Sequence, residues 1–273
     1  MTTPGPTTVV LIHGLWLTPR SWEKWIERFE ARGYTVMAPS WPGLEGEVES
    51  LRRDPSPIAR QDVSAILDHY EEIIRGLDRP PIIIGHSFGG AFAQLLAHRG
   101  LGAAVVSLDG ASIRGVRDLP LSTLKSSAAI LRNPFARHKA VPFTYEQFRY
   151  AFGNTLDEAA AREAYDRYAI PGSRNVLLTG ANANLNPATP FRVDFQADRP
   201  PLLFIGGGED HVIPAKVSRK MASKYDKAST VTAYKEFPGR SHFTAGEPGW
   251  EEVADFALSW ATEHARTGAA VHA

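Results

Sequence analysis

Apolar residues along this chain follow two alternating patterns. Residues 7–12, 34–38, 82–84, 103–108, 202–205 and 230–234 are short, largely unbroken apolar or β-branched runs, most of which meet a glycine or proline soon afterwards. Such runs predict strands buried on both faces. Between them, apolar positions recur every three or four residues. Trp22, Trp25, Ile26 and Phe29 lie on one helical stripe that ends near Gly33, and Ile66, Tyr70, Ile73 and Leu77 share a stripe in a helix predicted over 58–77. Further helices are predicted over 88–98, closed by Gly100, over 215–225 and over 250–264.

Unbroken strands alternating with helices imply an α/β fold, a mostly parallel sheet of about six strands covered on both faces. The alternation stops after Gly110 and resumes near residue 195. Helical segments dominate 112–194, two of them opening on the capping-box pairs Thr144 with Gln147 and Thr155 with Glu158. The chain thus divides into a core over 1–111, a helical insertion over 112–194 and the rest of the core over 195–273. No internal repeat appears, and the tail beyond His264 is expected to fray.

Composition narrows the classes of function. The chain has 273 residues, a net charge of zero and no basic stripe, which argues against a nucleic-acid partner. It has no cysteine, which removes disulfides, thiol nucleophiles and thiolate metal sites. The first six residues lack the features of a secretion signal, and no apolar run approaches the roughly 18 residues that span a bilayer. The expectation is a cytoplasmic protein that acts on a small molecule without membrane attachment, as a monomer or a homodimer. No histidine pair at i, i+4 and no His/Asp cluster at ligand spacing occurs, so neither metal nor cofactor is expected.

The chemistry centres on Gly85-His86-Ser87-Phe88-Gly89, where the third strand meets the next helix. A serine at such a junction sits on a strained turn that pushes its hydroxyl outward, and glycines two positions either side keep the turned backbone free of collisions. A serine hydroxyl becomes a useful nucleophile only when a base takes its proton and a carboxylate orients that base. On this strand–turn–helix arrangement the chain order is serine, acid, histidine. Asp210 follows the strand over 202–205, and His242 follows the last strand, so both fall on the sheet edge that carries Ser87. Asp109, at the end of another strand, and Glu209, beside Asp210, remain alternative acids. His86, His211 and the other histidines are expected to be structural or surface residues. An oxyanion needs two donors. The Phe88 N–H, at the start of the helix, is one; the other is expected from the loop after the first strand, from Leu15 or alternatively Trp16.

With His13-Gly14, Gly85-His86-Ser87-Phe88-Gly89-Gly90, Gly208-Glu209-Asp210-His211-Val212-Ile213-Pro214 and Gly239-Arg240-Ser241-His242-Phe243 in place, the chain resembles the α/β-hydrolase superfamily over nearly its whole length. The resemblance implies that 112–194 is a cap over the substrate, in which Phe135, Phe143, Tyr145, Phe148 and Phe152 can line an apolar pocket. Trp16, Phe143 and Phe148 are the expected substrate contacts. The short segment before His13-Gly14 is similar to plant methylesterases and hydroxynitrile lyases. The lyases place lysine after the histidine where this chain has Phe243, which counts against cyanohydrin chemistry, and Ser87 counts against dehalogenases and epoxide hydrolases, which use aspartate. The resemblance implies a serine hydrolase acting on a carboxylic ester, thioester or lactone of a small to medium apolar substrate. Four alternatives share the same residues: acyl transfer, perhydrolase chemistry like that of cofactor-free haloperoxidases, another pathway-specific reaction such as a rearrangement, and a ligand receptor or signalling protein on the same fold.

Overall fold

The computed structural model of the chain describes residues 5–116 and 138–266. Six parallel strands form one sheet: β1 (Thr8–Ile12), β2 (Thr35–Met37), β3 (Ile82–His86), β4 (Ala104–Leu108), β7 (Leu202–Gly207) and β8 (Thr232–Phe237), in the order β2-β1-β3-β4-β7-β8. The period-two alternation of each strand divides the apolar residues between two layers. Val9, Leu11, Ile82, Ile84, Val106, Leu203 and Ile205 face one side, where Trp22, Trp25 and Phe29 pack with Val253, Ala257 and Leu258. These come from α1 (Glu23–Glu30), with the 3-10 turn before it, and from α10 (Trp250–His264). Val10, Ile12, Ile83, Val105, Leu202 and Phe204 face the other side. There α4 (Val63–Arg75), α5 (Phe88–His98) and α9 (Ala215–Ser223) supply Ile66, Tyr70, Phe92, Leu96, Val217 and Met221. Burying both faces at once explains why the strands read as continuous apolar runs.

Two features depart from the sequence pattern. The stripe over 58–77 is not one helix: α3 (Ser56–Ala59), which follows a further helix α2 (Val48–Arg53), ends before a break, and α4 starts afresh at Val63. The Asp62 side chain accepts hydrogen bonds from the N–H groups of Ser64 and Ala65, so a strong cap sits where the periodicity runs on without a mark. Replacing the exposed Asp62 with alanine is expected to cost about 1 kcal/mol, read as a lower denaturation midpoint at unchanged slope.

The second departure lies between β4 and β7. The described elements there are β5 (Ala140–Val141), α6 (Tyr145–Ala151), α7 (Glu158–Tyr168), β6 (Gly172–Ser173) and α8 (Arg174–Ala181). Residues 117–137, among them Phe135, lie outside the described residues. Thr144 and Gln147 form the expected capping box on α6. Thr155 does not cap α7. Asp157, two positions later, accepts from the Ala160 N–H as the cap, and the Thr155 hydroxyl turns to Glu247. A carboxylate outcompetes a hydroxyl for a helix N-terminus because its full charge also meets the positive end of the helix dipole.

No helix among the described residues is long and apolar enough to cross a membrane.

Candidate active site

Every candidate group sits at the C-terminal end of a strand. Ser87 follows β3, Asp109 follows β4, Asp210 follows β7 and His242 follows β8, so parallel pairing delivers all four to one edge of the sheet. The backbone at Ser87 has φ +55° and ψ −120°, a conformation that disfavours any side chain. It is fastened from outside: the Ser87 N–H donates to the Leu108 carbonyl at 3.0 Å, and the Ser87 carbonyl accepts from the Ala111 N–H at 2.9 Å. The turn is tight enough that a Cβ on Gly85 would overlap the Gly89 carbonyl. A Cβ on Gly89 would lie 2.7 Å from the His13 carbonyl oxygen and closer still to that of Ile12. Only glycine fits at either place.

Three side chains are joined in a line. The Ser87 hydroxyl lies 3.0 Å from His242 Nε2, and His242 Nδ1 donates to Asp210 Oδ2 at 2.6 Å. The other oxygen of Asp210 accepts from the N–H groups of Val212 and Ile213, at 2.6 and 2.8 Å. All three residues are buried. Burial drives the His242 imidazole down to about 3, which keeps it neutral and able to accept a proton. Burial pushes the Asp210 carboxyl up to about 7, while the Ile213 and Val212 N–H groups pull the other way. Those two donors and the short bond from His242 favour the carboxylate form of Asp210 beside a neutral imidazole.

The competing residues have other engagements. Asp109 is buried, with φ +45°, and accepts from the Gly207 N–H at 2.7 Å. Burial, and then the charge of Asp210, hold its carboxyl well above the usual carboxylate range. Glu209 faces solvent. His86 donates from Nε2 to the His242 carbonyl at 2.8 Å, and burial lowers its ring to about 3. His13 stacks on Trp41 at 4.9 Å, with burial lowering it to about 4. His211 donates from Nδ1 to the Tyr150 carbonyl. Single ligand atoms of His86, Asp109 and His242 lie within 4.8 Å of one another, a grouping that sequence spacing does not reveal. Both His242 nitrogens already face Ser87 and Asp210, so this donor set is poorly suited to a cation.

Gly14 packs directly on the serine: a Cβ there would lie 2.8 Å from Ser87 Cβ. This contact sets the loop after β1, which continues into Leu15 and Trp16, beside Ser87. The N–H groups of Leu15, Trp16 and Phe88 make none of the loop, turn or cap hydrogen bonds among the described residues. Trp16 has φ +67°, and its carbonyl accepts from the Ile170 N–H, which ties the loop to the segment before β6.

Aromatic rings pack around this loop and His242. Trp16 stacks on Phe143 at 4.6 Å, and Phe152 meets the His242 ring edge-on at 4.7 Å. Phe148 is fully buried, stacked on Phe152 at 5.2 Å and packed against Phe243. Sequence reasoning passed over Glu247, a buried carboxylate beside the His242 loop. A glutamate before Pro248-Gly249 reads as an exposed turn residue, and no local signal marks it otherwise.

A model of the alpha/beta hydrolase family matches residues 9–256. The chain belongs to the alpha/beta hydrolase family. Among solved structures, this alpha/beta hydrolase is similar to the monoacylglycerol lipase of Paleococcus ferrophilus, at 19% identity and a TM-score of 0.64, over 96% of each chain. It is similar to a pyrethroid hydrolase from Sphingobium faniae JZ-2, at 20% identity and a TM-score of 0.64, over 93% of this chain and 97% of that one. It is also similar to an extracellular alpha/beta-hydrolase from a Paenibacillus species described as sharing structural and functional homology with tobacco salicylic acid binding protein 2. That match has 22% identity and a TM-score of 0.65, over 96% of this chain and all of that one. At these identities the likeness is one of fold.

Proposed function

We propose that this alpha/beta hydrolase is a serine esterase that cleaves a carboxylic ester, thioester or lactone of a small to medium apolar substrate through an acyl–Ser87 intermediate. The observation that carries the proposal is the line from the Ser87 hydroxyl through His242 to Asp210, at 3.0 and 2.6 Å. Ser87 Oγ bonds to the carbonyl carbon as its proton passes to His242 Nε2, and the N–H groups of Leu15 and Phe88 hold the oxyanion. Collapse of that intermediate breaks the bond to the alcohol or thiol, which leaves with the proton from His242. Water then attacks the acyl group, again giving a proton to His242, and Ser87 recovers it as the acid departs. Asp210 keeps the imidazole in one tautomer and stabilises its charged form. In this proposal residues 112–194 act as the cap, with Trp16 and Phe143 against the acyl or alcohol group and Phe148 supporting them from behind.

Turnover of an ester panel by the wild-type chain, set against Ser87→Ala and His242→Ala, tests the assignment; equal rates in all three would refute it. The pH profile is a second check. His242 must be neutral to act as base, and its lowered proton affinity keeps it neutral below the ordinary imidazole value of 6.5. With Asp210 held as the carboxylate by its two N–H donors, activity is expected to fall as pH drops through that lowered value. The acid limb of kcat/KM is expected below pH 6.5, and a limb at or above it would contradict this account.

A further inference from the structure

The last turn of α6 and the stretch that leads from it to α7 touch both loops that carry the acid and the base. The Tyr150 carbonyl accepts from His211 Nδ1 at 2.8 Å, and Asn154 Nδ2 donates to the Glu209 carbonyl at 2.9 Å, so both chain neighbours of Asp210 are held. The Phe152 carbonyl accepts from the Phe243 N–H at 3.2 Å, and the Thr155 hydroxyl donates to Glu247 Oε2 at 2.6 Å. Glu247 in turn accepts from the Ser241 N–H at 3.0 Å and from the Ser241 hydroxyl at 2.8 Å. The Ser241 oxygen accepts from the Phe243 N–H at 3.1 Å. Both chain neighbours of His242 are thereby tied to one buried carboxylate, Ser241 directly and Phe243 through the Ser241 oxygen. Burying a carboxylate costs several kcal/mol unless donors surround it, and the acyl-transfer chemistry gives this one no task.

We propose that residues 150–155 are a brace for the acid–base pair, with Thr155 acting through Glu247 on the His242 loop and Asn154 acting through Glu209 on the Asp210 loop. Thr155, Asn154 and Glu247 are positioning residues. The seating of the insertion on the core is thus coupled to the alignment of Asp210, His242 and Ser87. The inference rests on the esterase assignment above, because it supplies a positioning role for that same site.

Thr155→Val in the full chain is the test: it keeps the shape of the side chain and removes only the hydroxyl bonded to Glu247. Expected are a fall in kcat of about tenfold, a KM within about twofold of wild type, and restoration by Thr155→Ser. The melting temperature should fall by roughly 3–6 °C, since one hydrogen bond to a buried carboxylate is lost. A kcat within about twofold of wild type would overturn the brace. A readout that needs no substrate is the low-field proton resonance of the His242–Asp210 bond, identified by its loss in His242→Ala. It should broaden through faster exchange in Thr155→Val and in Asn154→Ala, and an unchanged line would again overturn the proposal. A wild-type chain that turns over no ester and shows no Ser87-dependent fluorophosphonate labelling would sink the esterase assignment, while the proton resonance would still decide whether the brace exists.

Discussion

Ser87→Ala is expected to lower ester turnover by at least about a thousandfold while leaving the melting temperature essentially unchanged. The two halves of this expectation follow from one observation. Among the described residues the Ser87 hydroxyl has a single side-chain partner, His242 Nε2, so its removal breaks no structural network there. What holds the turn is backbone: the Ser87 N–H to Leu108 and the Ser87 carbonyl to Ala111. Alanine inherits both bonds and the same strained φ. Steady-state kinetics with thermal unfolding of both proteins checks the pair of outcomes. A variant that keeps more than about a tenth of the wild-type rate would show that the acyl group is carried elsewhere.

Gly89→Ala is expected to do the reverse, destabilising the folded protein before any question of rate arises. Its added methyl would meet the carbonyl oxygens of Ile12 and His13, which are backbone atoms at the end of a central strand and cannot swing aside. Either β1 moves away from β3 or α5 tilts off the sheet, and both disturb the main apolar layers. A loss of about 4 kcal/mol or more is expected, which lowers the melting temperature by roughly 10 °C in a chain of this size. Gly76→Ala provides the contrast. Gly76 closes α4 with φ −75°, a value alanine adopts freely, and that change should be neutral or stabilising by up to about 1 kcal/mol. Similar melting points for the two variants would mean that the close approach at Gly89 relaxes without penalty.

Much of the fold can be read from the chain, because strands buried on both faces leave continuous apolar runs that few other structures require. The same runs place Ser87, Asp210 and His242 at strand ends, and parallel pairing then puts those ends side by side. Features that depend on competition between neighbouring groups are hidden. The periodicity through Ile58 and Ile66 gives no hint that Asp62 interrupts the helix, and Thr155 with Glu158 satisfies a capping pattern that Asp157 takes over. The contact of Phe152 with His242 and the burial of Glu247 are set by how the insertion lies on the core, and sequence spacing does not encode that. The proximity of Asp109 to His242 is of the same kind, since it arises from lateral order in the sheet.

The pairing of β4 with β7 joins Val105 to Leu202, so the middle of the sheet closes around about a hundred residues of intervening chain. As the polypeptide emerges during synthesis, β2, β1, β3 and β4 can assemble early, leaving β4 with a bare apolar edge until about the last quarter of the molecule arrives. Closing so long a loop is entropically slow, which makes that exposed edge the stage at which nascent chains can pair with one another. Completion of the sheet is also the step that brings Asp210 and His242 to Ser87, so the aggregation-prone interval and the interval before the site exists are the same.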